Sequence, residues 1–147
     1  MCSWMRSQYN PKIHTLYTPI NIEKYRGNVP LVMRSRAEFK FAEWCDRNPN
    51  IVWWSSENIK IPYYHPIKKK LVNYWPDFVI CVHSKVYIIE LKPEKQTVAP
   101  KYSKRKSLIQ EQATYLVNRS KWRAAKEHCT KLGYSFMVVT NESIYKK

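Results

Sequence analysis

The sequence has little glycine, no closely spaced cysteines and no long apolar run. Its four cysteines, at positions 2, 45, 81 and 129, form no CxxC pair, which argues against a zinc ribbon or a redox motif. We expect them to be reduced and buried as small apolar side chains in a cytosolic protein. Because no apolar run approaches the roughly 20 residues that span a bilayer and no signal peptide is visible, we expect a soluble protein that neither spans a membrane nor is secreted by the usual route.

The chain has the size and the aromatic content of one packed domain. Six tryptophans and eleven tyrosines stand against 2 glycines in 147 residues, a composition typical of a globular core and not of disorder. A domain of this length buries roughly 68–70% of its unfolded surface. Proline and glycine interrupt residues 1–33, so we interpret this segment as an N-terminal arm packed on the core, followed by a single domain over residues 34–147.

Acidic residues are also scarce, and the resulting charge points to a polyanionic partner. The 26 lysines and arginines outnumber the 11 acids and give a formal charge of +15. Nucleic acid is the first candidate and an anionic membrane the second, while plain solubility is the alternative. The residues most suited to contact DNA flank the hairpin described below, although each could equally be solvated surface charge. They are Lys68, Lys69, Lys70, Lys95, Gln96, Lys101, Lys104, Arg105 and Lys106.

The periodicity predicts an α/β domain. Ser35 and Glu38 form a capping-box pattern that opens a helix running to about Arg47. Strands are predicted at 51–54 and 58–63, a basic connection at 65–70, and a hairpin over 77–92 with apolar residues on both faces. A helix over 107–131, with a potential interruption at 118–120, and a strand at 134–140 complete the order. A sheet that is apolar on both faces is expected to be covered on both sides, often by helices.

The hairpin brings two carboxylates together. If His83–Ser84 form a two-residue loop, Val82 pairs with Lys85, and the ladder places Asp77 opposite Glu90 with Cβ atoms about 4.5–5.5 Å apart. Lys92 lies two residues further on and projects from the same face.

Two facing carboxylates repel each other unless a cation lies between them. Hard divalent cations such as Mg²⁺ bind carboxylate oxygens, so the spacing indicates a metal site at one end of the hairpin. His-Ser is not a favoured two-residue loop. A three-residue loop would shift the register and separate the acids, whereas a four-residue loop would preserve the pairing.

These residues resemble the motif of the PD-(D/E)xK nuclease superfamily. Pro76–Asp77 and Glu90-Leu91-Lys92 match the motif, and Glu38 stands for the acid on the first helix. The resemblance implies a restriction-endonuclease-like αβββαβ core, with a central mixed sheet flanked by helices. It also implies DNA hydrolysis, with Glu38, Asp77 and Glu90 holding Mg²⁺, for which Mn²⁺ can substitute, and with Lys92 as the catalytic lysine. Taken singly, Glu38 is explained as a capping residue, and Glu90 with Lys92 as a solvated strand end.

Further segments resemble the head-completion nucleases of T-even-type tailed phages. That family is related to the endonuclease subunit of heteromeric transposases, which commonly has Gln where this chain has Glu90. The resemblance implies a role in virion assembly after DNA packaging, with DNA and capsid, portal or neck proteins as partners and no small-molecule cofactor, in the host cytoplasm or the virion. The alternatives are a structural DNA-binding head or neck protein with an unused nuclease fold, and a transposase-type or junction-cutting nuclease. The matching segments are 24–28, 34–38, 54–57, 74–78, 92–96, 115–118, 121–122 and 124–125.

Overall fold

The computed structural model describes residues 15–102 and 105–146, which form eight strands and three helices. Short 3-10 turns follow β1 at Ile22–Lys24 and β7 at Glu94–Gln96. The elements in chain order are β1 (Thr15–Tyr17), β2 (Leu31–Met33), α1 (Arg36–Arg47), β3 (Ile51–Ser56), β4 (Ile61–His65), β5 (Lys70–Tyr74), β6 (Phe78–Val82), β7 (Lys85–Lys92), α2 (Leu108–Leu132), β8 (Ser135–Thr140) and α3 (Asn141–Tyr145).

The central sheet has four strands in the order β3-β6-β7-β8. β6 pairs antiparallel with both β3 and β7, whereas β7 pairs parallel with β8, so the sheet is mixed. A parallel neighbour requires a long crossover connection, which α2 supplies between β7 and β8. The predicted αβββαβ order is confirmed, with the β4-β5 hairpin inserted between β3 and β6.

Each face of the sheet packs against one long helix. Alternate side chains of β6 and β7 point to opposite faces. Phe78 and Ile89 lie in one core cluster with Phe41 of α1, and Ile88 lies in a second cluster with Ala125 of α2. This division explains why the hairpin is apolar on both faces, as the sequence predicts.

The basic connection at 65–70 is part of a separate hairpin that the sequence did not reveal. His65 pairs with Lys70, and Lys69 has a positive φ of 53° in the turn between β4 and β5. The predicted second strand also begins later, at Ile61 instead of 58. The strand 70–74 escaped prediction because its lysine-rich approach and alternating exposed residues lack a strong apolar pattern.

The second long helix has no break at 118–120. Asn118 is buried within α2, and the helix continues to Leu132 before Gly133 takes a left-handed conformation, with φ of 73°, at its C-terminus. Glycine adopts this conformation without the steric cost that a Cβ imposes. The short helix α3 after β8 is an addition to the predicted order.

Residues 15–33 pack against the C-terminal end of α1. The segment contains the strands β1 and β2, where an irregular arm was expected, and residues 1–14 lie outside the described part of the chain. The buried Asp46 carboxylate accepts hydrogen bonds from the hydroxyl of Tyr17 and the backbone N–H groups of Ile20 and Asn21. Lys24 donates to the carbonyls of residues 45, 46 and 48 and so caps the end of the helix.

The cysteines behave as small apolar residues. Cys45, Cys81 and Cys129 are buried and free, which confirms the expectation, while Cys2 lies outside the described residues. No helix within residues 15–102 and 105–146 has the length and apolarity needed to cross a bilayer.

Candidate active site

The β6-β7 hairpin has the register that places the two acids side by side. Val82 pairs with Lys85 and Phe78 with Ile89, where the ladder ends, and the same register continued by one residue sets Asp77, which directly precedes β6, opposite Glu90. The tight loop is possible because His83 takes the left-handed conformation, with φ of 56°, at its first position. The sequence-based register is therefore confirmed, despite the unfavourable loop residues.

Asp77 is an acid held where its negative charge is disfavoured. Its Oδ2 accepts the backbone N–H of Leu91 at 2.7 Å. Burial first, and then the nearby charges of Glu90 and Glu38, raise its pKa well above the ordinary aspartate value, against the opposing effects of the Leu91 hydrogen bond and Lys92. A bound cation would favour the charged carboxylate and so oppose the effects of burial and of the neighbouring negative charges.

Glu90 is buried, only 4% exposed, and contacts two side chains. Its Oε2 accepts the hydroxyl of Tyr74 at 2.5 Å, and its Oε1 lies 3.4 Å from Nζ of Lys92. A buried carboxylate with a charged partner and a hydroxyl donor avoids most of the cost of an isolated charge. Glu90 and Lys92 are thus a real pair within the fold, not a solvated strand end.

Glu38 reaches the site from the first turn of α1. Ser35 caps this helix, because its Oγ accepts the N–H of Glu38 at 3.1 Å. The Glu38 carboxylate accepts the N–H of Arg34 at 2.9 Å, one residue before the Ser35 N–H that a standard capping box uses. Burial first, and also the charge of Glu57, raise the pKa of Glu38 despite the Arg34 hydrogen bond.

The three acids approach the end of the sheet from different sides. Glu90 alternates with Ile89 and therefore projects on the α2 face, whereas Glu38 belongs to α1 on the other face. Within residues 15–102 and 105–146, no three Asp, Glu, His or Cys side chains are grouped closely enough to hold one metal ion. The donor chemistry nevertheless fits a hard cation, since all three side chains are carboxylates and the charges of Glu90 and Glu38 both raise the pKa of Asp77.

Two residues to which the sequence analysis gave no role also belong to the site. Tyr74 ends β5 and bonds Glu90, while Nζ of Lys121 on α2 lies 5.5 Å from the Tyr74 ring centroid. Burial first, and then the charge of Lys92, lower the pKa of Lys121, while Glu90 and Asp77 act in the opposite direction. Tyr74 precedes the Pro-Asp motif by two residues, which was a signal within reach, but no local pattern places Lys121 here.

The predicted DNA-contacting residues lie in three segments of the chain, of which the second and third contribute to the lining of one pocket. The β4-β5 turn carries the exposed Lys68, Lys69 and Lys70. The 3-10 turn that follows β7 carries Lys95 and Gln96. The third group precedes α2, where Arg105 pairs with Glu111 at 2.5 Å, and Lys104 lies outside the described residues. The groups are Lys68, Lys69 and Lys70; Lys95 and Gln96; and Lys101, Arg105 and Lys106.

Comparisons with known proteins identify a family and a protein to which this chain is similar. Residues 48–141 match the sequence profile of the family described as TnsA-like endonuclease N terminal. The chain is also 35% identical over 136 residues to the head completion nuclease of Enterobacteria phage T4, covering 87% of this chain and 91% of that protein. No solved structure gives a significant match. The profile match includes Asp77, Glu90, Lys92 and Lys121 and begins after Glu38.

Proposed function

The chain belongs to the TnsA-like endonuclease family, and on that premise we propose that it is a Mg²⁺-dependent DNA endonuclease that acts in phage head completion. One structural observation carries the chemical part of the proposal. At the end of a buried hairpin the charge of Glu90 acts on the carboxyl of Asp77, and Nζ of Lys92 lies 3.4 Å from Oε1 of Glu90. Such a concentration of charge in a core is unfavourable for folding alone and is typical of a catalytic site.

Each residue has a distinct role in the proposed reaction. Asp77 and Glu90 are the central metal ligands, and Glu38 completes the set from α1. A bound divalent cation supplies polarisation of the scissile phosphate and a water molecule that ionises near neutral pH. Lys92 holds and orients the attacking water and stabilises the negative charge that develops on the phosphate. Tyr74 fixes the Glu90 carboxylate through its hydrogen bond.

The basic surfaces bind the DNA backbone in this proposal. Lys68, Lys69 and Lys70 contact phosphates on one side of the site, and the residues around Lys95 and Lys101 on the other. Phosphate contacts of this kind give affinity that is independent of sequence and falls with salt. The +15 charge supports such binding.

The T4 relative supports the biological setting that we propose. A nuclease of head completion acts on DNA as the filled capsid is finished, and we place this chain in the host cytoplasm during assembly or in the virion. Capsid, portal or neck proteins are its proposed protein partners. The 35% identity across 91% of the relative supports a shared role for the whole chain.

The experiment compares metal-dependent cleavage by the wild type and Asp77→Asn. Duplex, branched and single-stranded DNA are incubated with Mg²⁺, with Mn²⁺ and with EDTA. We expect the wild type to cleave at least one substrate with either metal and not with EDTA. Asp77→Asn keeps the size of the side chain and should lose cleavage by about 100-fold or more, while still binding DNA.

The matched control is Glu127→Gln, which neutralises an exposed carboxylate near the C-terminal end of α2. It should cleave like the wild type. Equal cleavage by wild type and Asp77→Asn contradicts the site assignment. Salt-dependent DNA binding without metal-dependent cleavage on any substrate instead favours a structural DNA-binding assembly protein that retains the fold.

A further inference from the structure

A pocket of about 540 Å³ lies between the segment after β7 and the first half of α2. Its apolar wall is formed by residues 98–100, and Tyr115 of α2 faces into the same space. Lys95 and Lys101 contribute positive charge to its lining. The volume falls within the range of about 300–1,000 Å³ that small-molecule sites occupy.

Asn118 gives this pocket an unsatisfied hydrogen-bond donor. The side chain is only 3% exposed, and its Nδ2 has no hydrogen-bond partner among the described residues. A buried amide donor without a partner destabilises the folded state. Leucine would not carry this cost, so the unpaired Nδ2 of Asn118 is a candidate donor to an acceptor on a ligand.

The pocket and the proposed reaction centre share two elements, α2 and the segment that follows β7. Asn118 and Lys121 are three residues apart on α2 and are therefore neighbours on the helix surface. The charges of Lys92, Glu90 and Asp77 all influence the pKa of Lys121. On the other wall, Lys95 and Gln96 lie only a few residues after Lys92. A ligand in the pocket and a phosphate at Lys92 could thus belong to one DNA strand.

The chemistry of the walls suits a nucleobase. An apolar wall and an aromatic ring accept the face of a base, an amide bonds its polar edge, and lysines attract the adjoining phosphates. A phosphate alone would need only the lysines and would gain nothing from the apolar wall or the buried neutral amide. A paired base cannot enter, because its edge and faces are occupied within the duplex.

We infer that this pocket binds the base of an unpaired nucleotide close to the scissile phosphate and makes the protein selective for DNA with interrupted pairing. The inference rests on the proposed DNA endonuclease function and adds the structural class of the substrate. Asn118 is the residue that bonds the base, and Gln96 and Tyr115 line the same pocket.

The test measures binding in EDTA, so that no cleavage takes place. Two duplexes of equal length are compared, one fully paired and one with a single unpaired 2-aminopurine nucleotide at its centre. We expect the wild type to bind the second duplex about tenfold more tightly and to change the 2-aminopurine fluorescence as the base enters the pocket. Asn118→Leu should bind both duplexes with equal affinity and unfold at the same or a higher urea concentration than the wild type.

Gln112→Leu is the control, because it replaces an exposed amide of the same helix outside the pocket. It should retain the wild-type preference. Equal affinity of the wild type for the two duplexes overturns the inference, and so does an unchanged preference in Asn118→Leu. Cleavage of paired DNA with Mg²⁺ by a wild type that shows no preference would remove this inference and leave the endonuclease proposal intact. A preference for the duplex with the unpaired base, without cleavage of any substrate, would contradict the endonuclease proposal and leave the base-binding pocket supported.

Discussion

The hydroxyl of Tyr74 donates a hydrogen bond of 2.5 Å to Oε2 of Glu90, and the same ring lies 5.5 Å from Nζ of Lys121. Tyr74 therefore connects a strand carboxylate with a lysine of α2. It comes from β5, in the inserted hairpin, and not from the central sheet. The insertion thus has a purpose in the site: it supplies the group that orients Glu90.

Tyr74→Phe should weaken the site without removing a charged residue. Loss of the hydroxyl leaves Glu90 short of a donor, which should lower the free energy of unfolding by about 1–3 kcal/mol. Removing the support of a metal ligand also typically weakens metal binding by about 10–100-fold. Urea denaturation and titration of cleavage against Mg²⁺ measure the two effects. Tyr64→Phe, at an exposed position of β4, should change neither, and an unaltered Mg²⁺ dependence in Tyr74→Phe would refute the orienting role.

Lys92→Met should abolish most cleavage while leaving DNA bound. The ammonium group lies 3.4 Å from Glu90, and loss of a group that stabilises transition-state charge costs about 100- to 1,000-fold in rate. Single-turnover cleavage measures this loss, and binding in EDTA shows whether the surface is intact. Lys126→Met removes an exposed lysine of α2 and should cleave normally. A cleavage rate within threefold of the wild type, which corresponds to about 0.6 kcal/mol in activation free energy, would exclude Lys92 from the chemistry.

The hairpin geometry could be predicted from sequence because strand alternation is a local property. Once Val82 pairs with Lys85, the positions of Asp77 and Glu90 follow from the ladder alone. The start of α1 was equally accessible, since Ser35 caps it as its residue type predicts.

Contacts between distant elements were not accessible in this way. Lys121 faces the acids because α2 packs across the sheet, and a lysine on a long basic helix looks like any solvated charge. Asp46 was overlooked for the same reason, since its partners lie 25 to 29 residues away in the chain. The Glu38 carboxylate accepts the backbone N–H of Arg34 and not that of Ser35. This choice depends on the path of the chain before the helix, which a capping pattern does not encode.

Neutralising Lys68, Lys69 and Lys70 together should reduce the salt dependence of DNA binding. These lysines are exposed at and beside the β4-β5 turn. Each phosphate contact adds about 0.9 to the slope of log affinity against log salt, so the triple alanine variant should lose about 2–3 units of slope. Fluorescence anisotropy at several salt concentrations measures it. The variant Lys126→Ala with Lys131→Ala is the control on exposed α2, and an unchanged slope in the triple variant would place the DNA elsewhere.

Asp46 should make the stability of the protein depend on pH in the acid range. Burial raises the pKa of its carboxyl, but the hydrogen bonds from Tyr17, Ile20 and Asn21 and the charge of Lys24 outweigh burial, so the pKa is lowered overall. A lowered pKa in the folded state means that the stabilisation is present above the unfolded pKa of about 3.9 and is lost as the pH falls through the folded value.

Asp46→Asn tests this linkage directly. The amide keeps the shape of the side chain but accepts through one oxygen only, so it should lower the free energy of unfolding at neutral pH by about 2–3 kcal/mol. Because the variant lacks the titrating group, its stability should fall less steeply than that of the wild type between about pH 4 and about pH 2. Urea unfolding across this range measures both slopes, and Glu23→Gln, at an exposed carboxylate in the same region, should follow the wild type. Parallel pH profiles of wild type and Asp46→Asn would mean that the carboxylate of Asp46 does not hold the N-terminal segment through its charge.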